Sequence, residues 1–165
     1  MAGVPEEFPI VVTTNSGYPL DLNLYQSVKG MAAAHAITSP GGLIITASRC
    51  NDGFPEHGKF KDQLLRWPSP EAAWTSICDG ASREVDLWQT QKLIQIVREC
   101  RVQLQSELNP ELIRRAHLTP IRNVRQAIDT ELAQLRDPHA KVAILPEGPL
   151  TIPYIRTSQV PQPAT

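Results

Sequence analysis

The chain has almost no excess charge: 16 Lys and Arg stand against 17 Asp and Glu, a formal net charge of −1 over 165 residues. Such a balance leaves no basic field to draw a polyanion and no acidic tail, so no nucleic-acid partner is expected. Cysteine is also scarce. Cys50, Cys78 and Cys100 are an odd set without a C-x-x-C pair, which argues against a disulfide framework or a zinc knuckle and predicts three reduced thiols. Apolar runs last only a few residues, far short of a membrane span. The opening Met1-Ala2-Gly3-Val4-Pro5-Glu6-Glu7 lacks the basic-then-apolar order of a signal peptide, so a cytoplasmic chain with no membrane partner is expected.

Common cofactor and nucleophile signatures are missing too. There is no G-x-G-x-x-G, no Walker motif and no G-x-S-x-G elbow, and Gly41-Gly42 precedes an apolar run instead of opening a helix, so it reads as a turn. His35, His57, His117 and His139 are scattered with no i, i+4 pair, and no protein-built metal site is expected. His35 falls near the end of a predicted helix, where a partial positive charge suits the dipole; His57 sits in a loop with Asp52 and Glu56. Cys50 follows a predicted strand, yet no histidine has a fixed relation to it that would generate a thiolate, and it reads as structural.

What remains is a regular alternation of short apolar runs and helical periods, in a chain long enough for one sizeable core. A strand over 10–14 is followed by a turn, an Asp21 cap and a helix carrying Leu24, Val28, Met31 and Ala32 at helical spacing. Ser39-Pro40-Gly41-Gly42 ends that helix, and residues 43–48 form a second strand, parallel to the first through the crossover helix. Ser69-Pro70 and Asn109-Pro110 open further helices with a cap and a proline at the first position. Ser82 is read as the cap of a helix running to about Glu99, residues 101–105 as a half-exposed strand, Thr119-Pro120 as a helix start, and residues 141–145 as the last strand. The expected fold is α/β: an open, mostly parallel sheet of about four strands with helices on both faces. A domain over 1–149 is expected to be followed by an extended, proline-rich arm over 150–165 with a disordered end.

In open α/β sheets ligands bind at the carboxyl ends of the strands. Tyr25, Gln26 and Lys29 occupy the first turns of the helix after the first strand, spaced three and four apart, so they share one patch. There the helix dipole and free N–H groups favour an anion and Lys29 adds a point charge; a merely solvated helix face is the plainer alternative. Trp88 suits either a pocket wall or core packing. Trp67 and Trp74 are read as structural.

The stretch Thr13-Thr14-Asn15-Ser16-Gly17-Tyr18-Pro19-Leu20-Asp21, followed by Asn23-Leu24-Tyr25-Gln26-Ser27-Val28-Lys29-Gly30-Met31, closely resembles the C-terminal domain of nickel-dependent lactate racemases. Pro40-Gly41-Gly42, Leu87-Trp88-Gln89 with Gln91, Leu118-Thr119-Pro120 and Leu145-Pro146-Glu147-Gly148-Pro149-Leu150-Thr151-Ile152-Pro153-Tyr154 resemble that family in the same order. The resemblance implies a nickel pincer nucleotide that accepts a hydride from the α-carbon of a 2-hydroxy acid and returns it to either face. It also implies an N-terminal domain supplying two general-base histidines, the lysine that carries the cofactor covalently, and a further histidine on the nickel. By resemblance Lys29 binds the substrate carboxylate, Gln26 supports it, and Tyr25 and Trp88 form apolar walls, with Trp88 facing the cofactor cleft. The chain opens almost where that second domain begins, so alone it is expected neither to racemise lactate nor to hold nickel, and to need an N-terminal lactate racemase-like domain, from the same gene or a separate chain. The alternatives are a non-catalytic α/β module that binds a carboxylate or a partner, and a degenerate class I methyltransferase-like domain; for the latter, Asn15-Ser16-Gly17-Tyr18-Pro19 lacks the glycine-rich loop.

Overall fold

The apolar run after Glu7 becomes an inner strand of a parallel sheet in the computed structural model, which describes residues 1–55, 58–80 and 84–156. The order is β1 Ala2–Val4, β2 Phe8–Thr14, α1 Leu24–His35 and β3 Thr38–Ala47, then α2 Phe60–Leu65, α3 Pro70–Cys78 and α4 Leu87–Glu99 before β4 Arg101–Gln105. Next come α5 Pro110–Arg115, β5 Thr119–Ile121, α6 Val124–Leu135, β6 Val142–Leu145, a 3-10 turn at Gly148–Leu150 and β7 Pro153–Ile155. Among the described residues five strands pair in parallel in the order β5-β4-β3-β2-β6, while β1 and β7 form a separate parallel pair.

Side-chain alternation along the strands sorts the core into two layers. Val11 and Ile44 point to the layer holding Leu24, Val28 and Met31 of α1 and Leu93 and Ile94 of α4. Ile10, Val12, Leu43 and Ile45 point the other way, where α6 covers them with Ala127, Val124, Ile128 and Leu132. Helices therefore flank both faces of an open parallel sheet, the α/β class read from the sequence.

Several elements depart from the expectations. The sheet has five strands instead of about four, because Thr119–Ile121 pairs with β4 as an edge strand; there Pro120 forfeits no ladder bond that the fold needs. α6 takes its cap from Asn123, whose side chain accepts from the Gln126 N–H at 2.9 Å. α1 is capped by Asn23 and not by Asp21, since Asp21 is held in a turn in which its N–H donates to the Gly17 carbonyl. β3 absorbs Ser39-Pro40-Gly41-Gly42: the pairing with β2 shifts register between Phe8 and Ile10, and the turn residues fill that irregularity, with Gly41 at φ +73°. α2 arises in a stretch where the sequence pattern predicts no element. α4 starts at Leu87 after Asp86; Ser82 and His57 lie outside the described residues, as does the tail beyond Arg156. β7 lies along β1, with Gly3 under the Tyr154 ring and the Arg156 side chain.

Strand order places the sheet's switch point. β3, β4 and β5 are added successively on one side of β2, and α6 then returns across the opposite face to set β6 on the other side. The crevice between β2 and β6 is where doubly wound sheets accept ligands. Here the chain fills it with its own 3-10 turn: Asn15 bridges to Glu147, and Gly148 lies against Thr13, Thr14 and Gly30 of α1. Asn15 closes the junction by accepting from the Gly30 N–H at 3.2 Å while its amide donates to the Leu20 carbonyl.

Candidate functional site

Beside the filled crevice, the first turns of α1 carry polar side chains on their outer surface. The Asn23 side chain accepts from the Gln26 N–H at 3.1 Å and fixes where the helix starts. Leu24, Ser27, Val28 and Met31 then turn inward, leaving Tyr25 and Gln26 half-buried and Lys29 exposed. Lys29 Nζ donates to Gln26 Oε1 at 2.7 Å, so the ammonium and the carboxamide form one unit at the helix surface.

Tyr25 leans the other way, into an aromatic corner. Its ring meets Phe60 edge-on at 5.3 Å between centroids and Trp88 edge-on at 6.1 Å, contacts that stabilise by about 0.5–1.5 kcal/mol each beyond area burial. Trp88 is 59% exposed, so core packing is not its role; its indole stands at the surface beside Tyr25. The neighbouring Gln89 is buried, and its amide donates to the Tyr25 carbonyl, locking α4 to the start of α1. Burial, and then the neighbouring Asp86 carboxylate, raise the Tyr25 phenol above its ordinary value. The phenol therefore stays protonated at neutral pH.

The structure thus pairs Lys29 with Gln26 on α1, and Tyr25 of α1 with Trp88 of α4. It adds residues that the sequence did not single out: Phe60, because α2 was not legible, and Asp86, because no local signal links it to Tyr25. Cys50 is buried within reach of the Ser27 and Ser48 hydroxyls at 3.3 and 3.6 Å, and burial pushes its thiol up, which suits a structural role. His35 pairs with Glu99 at 2.8 Å across the ends of α1 and α4. A second opening on the carboxyl edge, a groove of about 440 Å³ lined by Thr14, Asp21, Ser48, Arg49, Gln105 and Glu107, contains none of the four residues. Among the described residues no three His, Cys, Asp or Glu side chains stand close enough together to hold a metal.

Known proteins carry the same arrangement of elements. The sequence profile of the lactate racemase C-terminal domain matches residues 5–152. The lactate racemases of Thermoanaerobacterium thermosaccharolyticum and Lactiplantibacillus plantarum are each 32% identical to the chain, over 146 and 142 residues, covering 84% of it. The match takes in only 33% of either relative, so the chain spans about a third of their length. The lactate racemase apoprotein structure from T. thermosaccharolyticum superposes with a TM-score of 0.79 at 30% identity, over 94% of this chain and 37% of that one. A Thermotoga maritima protein superposes with a TM-score of 0.58 at 10% identity, over 93% and 38% of the two chains, a likeness of fold alone. The chain belongs to the lactate racemase C-terminal domain family.

Proposed function

We propose that this domain supplies one wall of a 2-hydroxy acid site in a lactate racemase-like isomerase. Two pairs in the first turns of α1 carry this reading: Lys29 with Gln26, and Tyr25 with the exposed Trp88. In it the Lys29 ammonium takes the substrate carboxylate, a charge-assisted contact of about 1.5–3 kcal/mol, held toward the low end by exposure to solvent. Gln26, tied to Lys29, has its amide hydrogens left to offer the same carboxylate. Tyr25 and Trp88 keep water from the apolar side of the ligand.

In this reading Lys29 and Gln26 act as binding groups, and Tyr25, its phenol raised by burial and by the neighbouring Asp86 carboxylate, acts as a wall. The described side chains do not fit a metal centre either, and no step is assigned here to nickel or to the pincer nucleotide. In this reading the bases, the cofactor and the second wall come from an N-terminal lactate racemase-like domain, corresponding to the part of the relatives that this chain does not match.

The test is reconstitution. The N-terminal portion of the T. thermosaccharolyticum lactate racemase, loaded with cofactor, is mixed with this chain, and conversion of one lactate enantiomer to the other is followed by chiral chromatography. Isomerisation well above that of the portion alone is expected, with Lys29→Ala removing most of the gain. No gain on mixing ends the proposal; a gain that Lys29→Ala leaves intact ends the carboxylate role of Lys29.

A further inference from the structure

α5 ends in a turn that glycine ordinarily makes. The Leu118 N–H donates to the Ile113 carbonyl at 3.1 Å and the His117 N–H to the Arg114 carbonyl at 2.9 Å, the paired bonds that close a helix through one left-handed residue. That residue is His117, at φ +63°, where a side chain costs conformational energy that glycine would not. The turn therefore does not explain the imidazole. Its Nε2 is shut off from water and has no hydrogen-bond partner among the described residues, so the ring lacks a polar contact as well as an easy backbone.

The same ring lines a pocket of about 330 Å³, together with Arg114 and Arg115 from the end of α5 and Arg66, Trp67 and Pro68 from the segment that follows α2. Three guanidiniums thus share one opening, and none of its described lining residues is acidic. Arg66 is largely engaged: Glu84 accepts from its two terminal nitrogens at 2.7 and 3.3 Å, and its guanidinium lies 5.6 Å from the centre of the Trp67 ring. Arg114 and Arg115 are held far more loosely. Arg114 meets the Glu111 carboxylate and Arg115 the Leu65 carbonyl, each at 3.5 Å, beyond the usual range of an N–H···O bond. The dipole of a six-residue helix accounts for cations in its last turn, but not for Arg66 joining them from another segment.

We infer that this pocket binds the phosphate group of a small molecule, as free phosphate or as a monoester. Planar guanidiniums offer paired N–H donors that match phosphate oxygens, and Arg114 and Arg115 have most of theirs to give. A carboxylate, with two oxygens and one charge, leaves part of such a set unused; a phosphate monoester brings three acceptor oxygens and a charge of about −1.5 to −2. A long polyanion is disfavoured, since the chain carries a formal net charge of −1 and no wider basic field. The volume, at the lower end of small-ligand pockets, leaves room beside the phosphate for a small substituent against Trp67 and Pro68. The pocket shares no residue with the Tyr25, Gln26 and Lys29 surface, and the inference stands without the function proposed above.

The test uses the whole chain in a phosphate-free buffer at fixed ionic strength, titrated calorimetrically with inorganic phosphate, glycerol phosphate and acetate. The two phosphates should bind and acetate should not. Tighter binding of glycerol phosphate places the ligand among monoesters, whereas equal or weaker binding makes free phosphate sufficient. Arg114 and Arg115 are exposed, so Arg114→Gln and Arg115→Gln fold, and each should weaken binding about tenfold, the loss of one charge-assisted contact. Arg125→Gln, on α6 and paired there with Asp129, should leave binding unchanged. In nitrogen-edited NMR spectra the ring signals of His117 should move as phosphate is added, and those of His35 and His139 should stay in place. No binding of either phosphate into the millimolar range overturns the inference. So does acetate binding as tightly as phosphate, an affinity unchanged in both arginine variants, or His117 signals unmoved at saturation.

Discussion

Replacing Gly148 with alanine tests how the C-terminal turn is seated on α1. A Cβ there would collide with the Thr13 hydroxyl and would lie 2.8 Å from the Thr14 carbonyl oxygen and 2.9 Å from the Gly30 Cα. Two of those neighbours are backbone atoms, in β2 and in α1, and neither can swing aside. Overpacking of this kind costs about 1–3 kcal/mol, and the absence of a flexible neighbour puts Gly148 near the top of that range. Against it, alanine narrows the unfolded chain and returns about 0.4–1 kcal/mol. The net expectation is a loss of about 2 kcal/mol, or a Tm lowered by about 4–8 °C for a chain of this size. Gly17 and Gly41 are the controls: each has open space where a Cβ would stand but a positive φ, +74° and +73°. Alanine there should cost only the conformational term, about 1 kcal/mol. Urea unfolding followed by circular dichroism would rank the three. If Gly148→Ala proves no more destabilising than Gly17→Ala, the turn is not wedged between β2 and α1 and the description of the filled crevice is wrong.

Two further outcomes follow from burial. Cys78 is exposed while Cys50 and Cys100 are buried, and burial pushes the Cys100 thiol up to about 11; an aromatic disulfide reagent at neutral pH should therefore titrate one thiol rapidly in the native chain and all three in denaturant, with Cys78→Ser abolishing the rapid phase. Burial lowers the His117 pKa below its ordinary 6.5, and its shielded Nε2 has no hydrogen-bond partner among the described residues. The unfolded chain then takes up a proton that the native state resists, so this contribution to stability is complete above pH 6.5 and is lost as pH falls below it. His117→Asn, which tolerates the φ of +63° at that position, should flatten the dependence of the urea midpoint on pH in that window; an unchanged slope would show that other groups carry it.

Sequence by itself determined the parts of this protein that depend on neighbours along the chain. Strand–helix alternation announced a parallel α/β sheet, and the hydroxyl and amide caps with proline behind them placed α3 and α5, because capping is settled within one helical turn. The pairing of Lys29 with Gln26 was legible for the same reason, a spacing of three on α1 being enough to set them side by side. Only the tertiary structure decided the rest. Thr119-Pro120 is as good a helix start as Asn109-Pro110 until β4 offers it a ladder, and β1 becomes a strand only because β7 arrives beside it. The crevice between β2 and β6 is filled because two glycines from opposite ends of the domain, Gly30 and Gly148, let α1 and the last turn touch. Tyr25 meets Phe60 of α2 and Trp88 of α4, contacts between segments far apart in the chain. Such pairings depend on which surfaces are buried together once the sheet has formed, and short-range spacing carries no record of them.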